Sequence, residues 1–356
     1  MPSYIPNSNI TSLSIGSNIY CYVQSYHGTL IELGGQIATT KKHANVYSRD
    51  NQTEIGLTVR YREDDDEDDE DIASHAPKMF TPLAAASLGK TRYLIYVNDN
   101  NILQDIIFKD SEWQKGKLCS LKDIDGKTGI RCAPYSKLAA ATVRVDDQDI
   151  ICLYYQADGK HGPVRMISFV PGNSWKTTYY PDGRIVVQWV DPPLYGTSLT
   201  AVKPREGIIV QEKDEKQKQL PIVYLQWDTH ALAEGQGTKI QPIPGLEEFQ
   251  LSPHTSLTTV DDGANLYCFY KSNDNTVRMV RLGEGKAVQV LPSVVVPTPR
   301  SYIAAVMPLQ HKDRIVIFYQ HWGHGKSEKV DIKAKTLTRG PKDTWEVTTE
   351  TNVLSG

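Results

Sequence analysis

The chain is poor in the residues that build metal and redox sites. Its 356 residues include five cysteines, Cys21, Cys119, Cys132, Cys152 and Cys268, widely scattered and with no Cys-x-x-Cys pair. A zinc site or a redox dithiol is therefore not expected. Three of the five lie in apolar strand-like runs and read as small buried hydrophobes; Cys119 and Cys132 could pair, although nothing demands it. No apolar run approaches the length of a membrane-spanning helix. There is no dense basic patch. The 39 basic residues face 42 acidic ones, and nine of those acids form one run, Glu63 to Asp71. Without that run 33 acids remain against 39 bases, a thinly spread excess of six positive charges, so a nucleic-acid partner is not expected. The serine-hydrolase elbow, the His-Glu-x-x-His zinc motif, the P-loop and the Rossmann glycine pattern are all missing, which leaves classical hydrolases, proteases, kinases and dehydrogenases without support. Met1-Pro-Ser-Tyr-Ile-Pro6 has no basic region followed by an apolar core, so a cytoplasmic protein is expected. On that expectation the glycosylation acceptors Asn9-Ile-Thr11 and Asn51-Gln-Thr53 are chance matches.

Long helical periodicity is also missing, and strand signals take its place. Short runs rich in Tyr, Val and Ile, such as Ile150–Tyr155, Arg314–Tyr319 and Tyr93–Tyr96, are broken by Gly, Asn, Asp and Pro. The runs repeat. Thr81-Pro-Leu-Ala-Ala85, Ser136-Lys-Leu-Ala-Ala140, Thr197-Ser-Leu-Thr-Ala201, His254-Thr-Ser-Leu-Thr258 and Ser301-Tyr-Ile-Ala-Ala305 share a pattern, with Ile10-Thr-Ser-Leu-Ser14 as a weaker first copy. A second strand rich in aromatics follows most copies, then a polar turn such as Asn98–Asn101 or Ser272–Asn275, then a third strand. A fourth often begins with Trp: Trp113, Trp175, Trp345. Four strands per unit, with six starts near residues 11, 82, 137, 197, 255 and 301, predict an all-β fold. It is a single six-bladed β-propeller of four-stranded antiparallel blades spanning residues 1–356. Small residues in each first strand suit the crowded axis. The acidic run at 63–71 repels itself, cannot be buried together, and reads as a disordered solvated loop without EF-hand spacing.

These units resemble the fungal fucose-specific lectins. The likeness is closest from Lys78-Met-Phe-Thr-Pro-Leu-Ala-Ala85 through Asn98-Asp-Asn-Asn-Ile-Leu103 to Trp113-Gln-Lys-Gly116, and good at Ser136–Ala140 with Leu153-Tyr-Tyr-Gln156. The resemblance implies sugar sites between blades, each with an Arg on a second strand, a Glu on the third, and an aromatic beyond. Here the Arg positions read as Tyr20, Leu94, Cys152, Cys268 and Val316 in repeats one, two, three, five and six, with Ile208 near the slot of the fourth. The Glu positions read as Glu32, Asp105, Met166, Tyr224 and Met279 in repeats one to five. No repeat keeps the Arg–Glu pair, and each such charged hydrogen bond is typically worth about 1.5–3 kcal/mol. Weak or absent fucose binding is the expectation, and the more apolar clefts suit a hydrophobic small molecule.

By its fold, its degraded sugar sites and an N-terminus read as intracellular, the scaffold also resembles the lectin-like hetero-Diels–Alderases of fungal tropolone–sesquiterpenoid biosynthesis. That resemblance implies a cofactor-free pericyclase joining a heterodiene, such as a tropolone o-quinone methide, to an apolar terpene alkene. Such chemistry needs orientation and a donor for the heterodiene oxygen, not a metal. Tyr20, Arg165, Arg278 and His321 are the candidate catalytic donors. Glu32, Asp105, Trp113, Met166, Trp175, Met279 and Trp322 are the candidate substrate-binding residues. Arg165 and Arg278 are expected at equivalent third-strand positions. His321 and His324 lie three apart in Gln320-His-Trp-Gly-His-Gly325 but lack a third ligand at clear spacing, and no metal or cofactor is expected. The alternatives are a lectin of altered specificity, with Glu32 marking its best cleft, and a non-enzymatic scaffold. Expected partners are hydrophobic substrates or, on the second reading, glycans, with a homodimer left open and no membrane.

Overall fold

The computed structural model describes residues 7–38, 46–55, 75–123, 125–145, 147–159, 162–172, 174–177, 196–202, 207–211, 222–226, 239–242, 255–282, 289–290, 297, 301–322, 330–341 and 344–354. The acidic run at 63–71 and His324 lie outside them. The described strands form six four-stranded antiparallel sheets, each in simple sequence order. Blade 1 holds Thr11–Ile15, Asn18–Gln24, Leu30–Ala38 and Val46–Ile55. Blade 2 holds Ala84–Leu88, Thr91–Val97, Leu103–Lys109 and Glu112–Lys115. Blade 3 holds Leu138–Val145, Gln148–Gln156, Val164–Phe169 and Trp175–Thr177. Thr200–Val202, Gly207–Gln211, Ile222–Gln226 and Lys239–Pro242 make blade 4. Leu257–Asp261, Leu266–Lys271, Val277–Leu282 and Gln289–Val290 make blade 5. Ile303–Val306, Arg314–Trp322, Val330–Arg339 and Trp345–Leu354 make blade 6. Among the described residues the helix content is one 3-10 turn, Leu118–Ser120. The all-β propeller of antiparallel four-stranded blades expected from the repeats is what the chain forms.

The first strand of each blade touches the first strand of the next, and that of blade 6 touches that of blade 1, so the sheets close into a ring. Closure hides the sheet faces and leaves only short outer edges. Among the described strands none is exchanged across the closing junction. Instead Gln320, wholly buried at the end of a blade 6 strand, accepts from the Asn7 N–H at 2.8 Å and donates to Ser8 Oγ at 2.8 Å. The same latch recurs elsewhere. Gln24 of blade 1 accepts from Thr81 N at 3.3 Å ahead of blade 2, and Gln156 of blade 3 accepts from Gly196 N at 3.0 Å ahead of blade 4. A buried Ser or Thr stands two residues before each of Ile10, Leu83, Leu138, Leu199, Leu257 and Ile303, and in blades 2 and 3 it closes the local backbone. Thr81 Oγ1 bridges the N–H and C=O of Val97 at 2.8 Å each, and Ser136 Oγ accepts from Gln156 N at 3.0 Å.

Among the described residues the core lies in layers between blades 6 and 1, 1 and 2, 2 and 3, 3 and 4, and 5 and 6. Because side chains alternate along a strand, a blade offers odd positions to one neighbour and even positions to the other. Ile19, Cys21 and Val23 pack on Val316, Phe318 and Ala334 of blade 6, while Tyr20 and Tyr22 pack on Leu94, Tyr96 and Ile106 of blade 2. Tyr93 and Ile95 meet Leu153, Ile167 and Trp175 of blade 3. Tyr267, Phe269 and Met279 meet Ile315, Ile317 and Trp345 of blade 6.

This phase corrects two readings of the repeats. Ile10, Leu83, Leu138, Leu199, Leu257 and Ile303 are the equivalent residues around the axis. The first copy therefore begins at Ser8, two residues earlier than its sequence match suggests, and the fifth begins at Thr255, not His254. The second-strand position facing the next blade is Tyr20, Tyr93, Cys152, Gly207, Tyr267 and Val316, as the registers opposite Leu13, Ala86, Ala141, Val202, Val260 and Val306 define. Leu94, Ile208 and Cys268 are one residue out of this register, and Leu94 packs toward blade 1 instead. All five cysteines are free thiols, so Cys119 and Cys132 do not pair.

Candidate functional site

The third-strand acid position aligns with Tyr22, Ile95, Tyr154, Ile209, Phe269 and Phe318 across the blades. It holds Glu32, Asp105, Met166, Tyr224, Met279 and Ala334. The first five are as read from the sequence, and Ala334 completes the set.

The cleft between blades 1 and 2 gathers the most chemistry. Glu32 is 4% exposed and receives a bidentate pair from Arg92, Nε to Oε2 at 3.1 Å and an Nη to Oε1 at 2.9 Å. Arg92 is 5% exposed and comes from the second strand of blade 2, one residue before Tyr93. Its guanidinium carbon lies 4.0 Å from the centroid of Tyr20 and 3.7 Å from that of Phe108, with Trp113 at 5.6 Å. Trp113 stands edge-on to Tyr22, centroids 6.1 Å apart. A planar guanidinium suits this slot, because its fork matches the carboxylate while both its faces stack on rings. Burial raises the Glu32 pKa, and the Arg92 charge and the Tyr22 hydroxyl oppose that rise. Burial, then the Glu32 charge, holds the Tyr22 phenol well above its ordinary value. One buried polar group here has no hydrogen-bond partner, Trp113 Nε1. The sequence reading found no Arg–Glu pair. The pair exists, with its cation supplied by the receiving blade.

The cleft between blades 2 and 3 is organised differently. Asp105 has no cation on it. One carboxylate oxygen accepts from the Leu118 N–H at 2.8 Å and the other from Trp175 Nε1 at 2.9 Å. Phe169 packs between Tyr93 and Trp175, with centroids 5.1 and 5.4 Å away. Gly116 is required, since a Cβ there would meet the Asp105 carboxyl at 2.1 Å. Burial raises the Asp105 pKa against the pull of those donors.

Between blades 5 and 6 an acid–arginine pair returns in another place. Arg339 donates to Asp262, which also accepts from the Tyr267 hydroxyl at 3.2 Å, and the guanidinium lies 5.1 Å from the Trp345 ring. Burial disfavours the Asp262 charge, but the N–H groups of Asn265 and Ala264, the Asn265 side chain and Arg339 hold its carboxyl below the usual range. Met279, at the acid position, is wholly buried in this layer.

The predicted residues are thus only partly brought together. Tyr20, Glu32 and Trp113 share one cleft, and Asp105 and Trp175 share the next. Tyr20, Arg165, Arg278 and His321 lie on blades 1, 3, 5 and 6. Arg165 and Arg278 do occupy equivalent positions, opposite Tyr155 and Tyr270, but Arg278 is paired with Asp274 at 2.8 Å. Met166 packs with Tyr154 in the layer toward blade 4. His321 and Trp322 end the second strand of blade 6, opposite Asp331 and Val330. Among the described residues no group of His, Cys, Asp and Glu could hold a metal ion, and no helix is long and apolar enough to cross a membrane.

The geometry defines the chain as a β-propeller of four-stranded antiparallel blades. The sequence model of the fungal fucose-specific lectin family matches residues 34–179, the stretch holding most of blades 1 to 3. The Aleuria aurantia lectin, described as a six-bladed β-propeller with a novel fucose recognition mode, superposes with a TM-score of 0.65 at 17% identity, covering 99% of this chain and 98% of its own. AofleA from Arthrobotrys oligospora gives 0.61 at 16% identity over 98% and 89%. The lectin BP39L of Burkholderia pseudomallei gives 0.58 at 11% over 98% and 86%. No curated protein matches the chain in sequence.

Proposed function

We propose that the protein is a six-bladed lectin-type propeller that binds a carbohydrate at one site, the cleft between blades 1 and 2. The observation that carries this reading is the Arg92–Glu32 pair walled by Tyr20, Phe108 and Trp113, beside an indole N–H that has no partner. A sugar presents hydroxyls to charged hydrogen-bonding groups and a C–H face to an aromatic ring, and this cleft offers both. Glu32 takes two of the five guanidinium N–H groups, which leaves others for a ligand oxygen. Tyr20, Phe108 and Trp113 are partly exposed and form the lip, while the charges lie beneath it. Fucose held by an Arg and a Glu of one blade is not the expected mode, because Tyr20 replaces that Arg. Similar lectins are described in complex with α-methyl fucoside, so fucosides are the first ligands to try. Calorimetry with α-methyl fucoside and a panel of monosaccharides should give one weak site per chain, abolished by Trp113→Leu and weakened at least tenfold by Glu32→Gln. Equal binding by wild type and both variants would remove this reading.

A second reading, the cofactor-free hetero-Diels–Alderase, draws support from the apolar residues at the acid positions elsewhere, Met166, Met279 and Ala334. The four candidate donors stand on four blades, so this reading needs one of them, not the set. Incubating the protein with a quinone-methide precursor and humulene tests it. Isomer ratios and rates identical to those of the uncatalysed reaction would end it.

A further inference from the structure

One end of the ring axis gathers a second, chemically distinct group of side chains. Just ahead of the six equivalent axial residues stand Asn9, Pro82, Lys137, Ser198, Ser256 and Tyr302. Each first strand enters the ring from the same end, so these six share it. Asn9 and Ser256 are already engaged. The Asn9 side chain donates to the Thr81 carbonyl at 3.1 Å, and Ser256 Oγ accepts from the Ile303 N–H at 2.9 Å. The Ser198 hydroxyl is buried without a hydrogen-bond partner. Lys137 and Tyr302 belong to blades 3 and 6, opposite each other in the ring, yet the Lys137 ammonium lies 4.6 Å from the centroid of the Tyr302 ring. The two side chains therefore meet over the axis.

Two lysines lie on this side of the ring, and their amines differ in what they already bind. Lys78 Nζ donates to Asn101 Oδ1 at 2.8 Å and to the Pro134 carbonyl, three residues before Lys137, at 3.1 Å. Among the described residues Lys137 Nζ has no carboxylate and no hydrogen-bond acceptor, and the Tyr302 ring is its contact. An aromatic face holds the amine in place without occupying its nitrogen in a strong hydrogen bond. Both Lys137 and Tyr302 are half-buried. Burial brings the Lys137 pKa down to about 8 and pushes that of Tyr302 up to about 12. The Lys78 pKa is lowered too, by burial first, with the Lys137 charge adding to it, and Asp99 is the acid that opposes this. A desolvated lysine beside a second cation, with no counter-charge of its own, is the setting that yields a nucleophilic amine at neutral pH. At pH 7 a pKa of about 8 leaves about a tenth of the amine neutral, against roughly 0.04% for an ordinary lysine.

We propose that Lys137 is a covalent anchor for small aldehydes, which it holds as an imine at this end of the axis with its amine positioned by Tyr302. The neutral Nζ adds to the carbonyl carbon, the C=O π pair moves onto oxygen, and that oxygen takes a proton from water. The nitrogen then gives up its protons as its lone pair forms the C=N bond, and the oxygen leaves as water. One amine and one aldehyde give one imine and one water, with no oxidant or reductant. The half-buried setting of the amine favours small carbonyl compounds over large ones. This site shares no residue with the cleft between blades 1 and 2, so the two readings stand or fall separately.

Propanal is the probe. The intact chain at pH 7 is given limiting propanal with cyanoborohydride, which reduces each imine to a stable propylamine, and the labelled lysines are mapped by peptide mass spectrometry. Lys137 should be labelled at least tenfold faster than Lys78, whose amine is hydrogen-bonded, and than the exposed Lys115 and Lys117. In concentrated urea that preference should vanish, because the fold creates it. Competitive acetylation with acetic anhydride across a pH series should place the midpoint for Lys137 near 8. Lys137→Arg should lose the fast label and leave the slow ones unchanged. Labelling of Lys137 no faster than that of Lys115 and Lys117, or a preference that persists in urea, overturns the proposal. The comparison within the wild-type chain decides the matter even if the variant fails to fold.

Discussion

The clefts on the two sides of blade 2 carry an acid at the same third-strand position, Glu32 on one side and Asp105 on the other, yet they solve its burial in different ways. Glu32 is met by a full positive charge stacked between rings. Asp105 is met only by neutral donors, a backbone N–H and an indole. A cation leaves spare donors and an unpartnered Trp113 N–H, so the first cleft keeps chemistry to offer a ligand. In the second cleft Trp175 spends its N–H on Asp105, and the site is closed on itself. The two clefts share a strand position for the acid but differ in whether their polar groups are already used.

The largest effect should come from breaking the charged pair. Arg92→Met leaves Glu32 buried without its cation, which costs about 3–5 kcal/mol for a pair of this kind. The double variant Glu32→Leu with Arg92→Met should recover most of that loss in urea denaturation, because no orphaned charge remains. A double variant as unstable as the single one would show that packing, not charge, sets the cost.

Next in size is a contrast between two tryptophans. Trp175→Phe removes a donor from a buried carboxylate and should cost about 1–3 kcal/mol beyond the change in packing. Trp113→Phe removes an N–H that bonds nothing, so only the packing term remains. Equal losses in the two variants would erase the difference between the clefts.

A smaller, pH-dependent effect belongs to Asp105. Its pKa is raised by burial, so the folded protein holds that proton more tightly than the unfolded chain does. The stability it contributes is therefore greatest below the unfolded value near 3.9 and falls as pH rises through the folded value. Urea melts of wild type and Asp105→Asn between pH 4 and 7 should show the wild type losing ground as pH rises. A difference independent of pH would mean that Asp105 titrates normally.

The sequence made the acid positions legible because polar turns such as Asn98–Asn101 and Ser272–Asn275 fix where each third strand begins. The second strands were harder. Leu266–Tyr270 and Tyr93–Val97 are apolar on both faces because both faces are covered by blades, so alternation gives no phase and a one-residue slip goes unnoticed. That slip put Leu94 and Cys268 where Tyr93 and Tyr267 belong. Arg92 escaped notice for a related reason: it points back to blade 1, whereas the pattern sought the Arg and the Glu on the same blade. Its one signal was a charged residue opening an otherwise apolar strand.

The most direct measurement is a calorimetric titration of the protein with α-methyl fucoside and related monosaccharides, read for the number of sites per chain. One weak site, lost in Trp113→Leu and unchanged in Trp175→Phe, is the expected result, since the Trp113 N–H is unused while that of Trp175 is spent on Asp105. Several sites per chain of micromolar affinity, indifferent to Trp113, would contradict it.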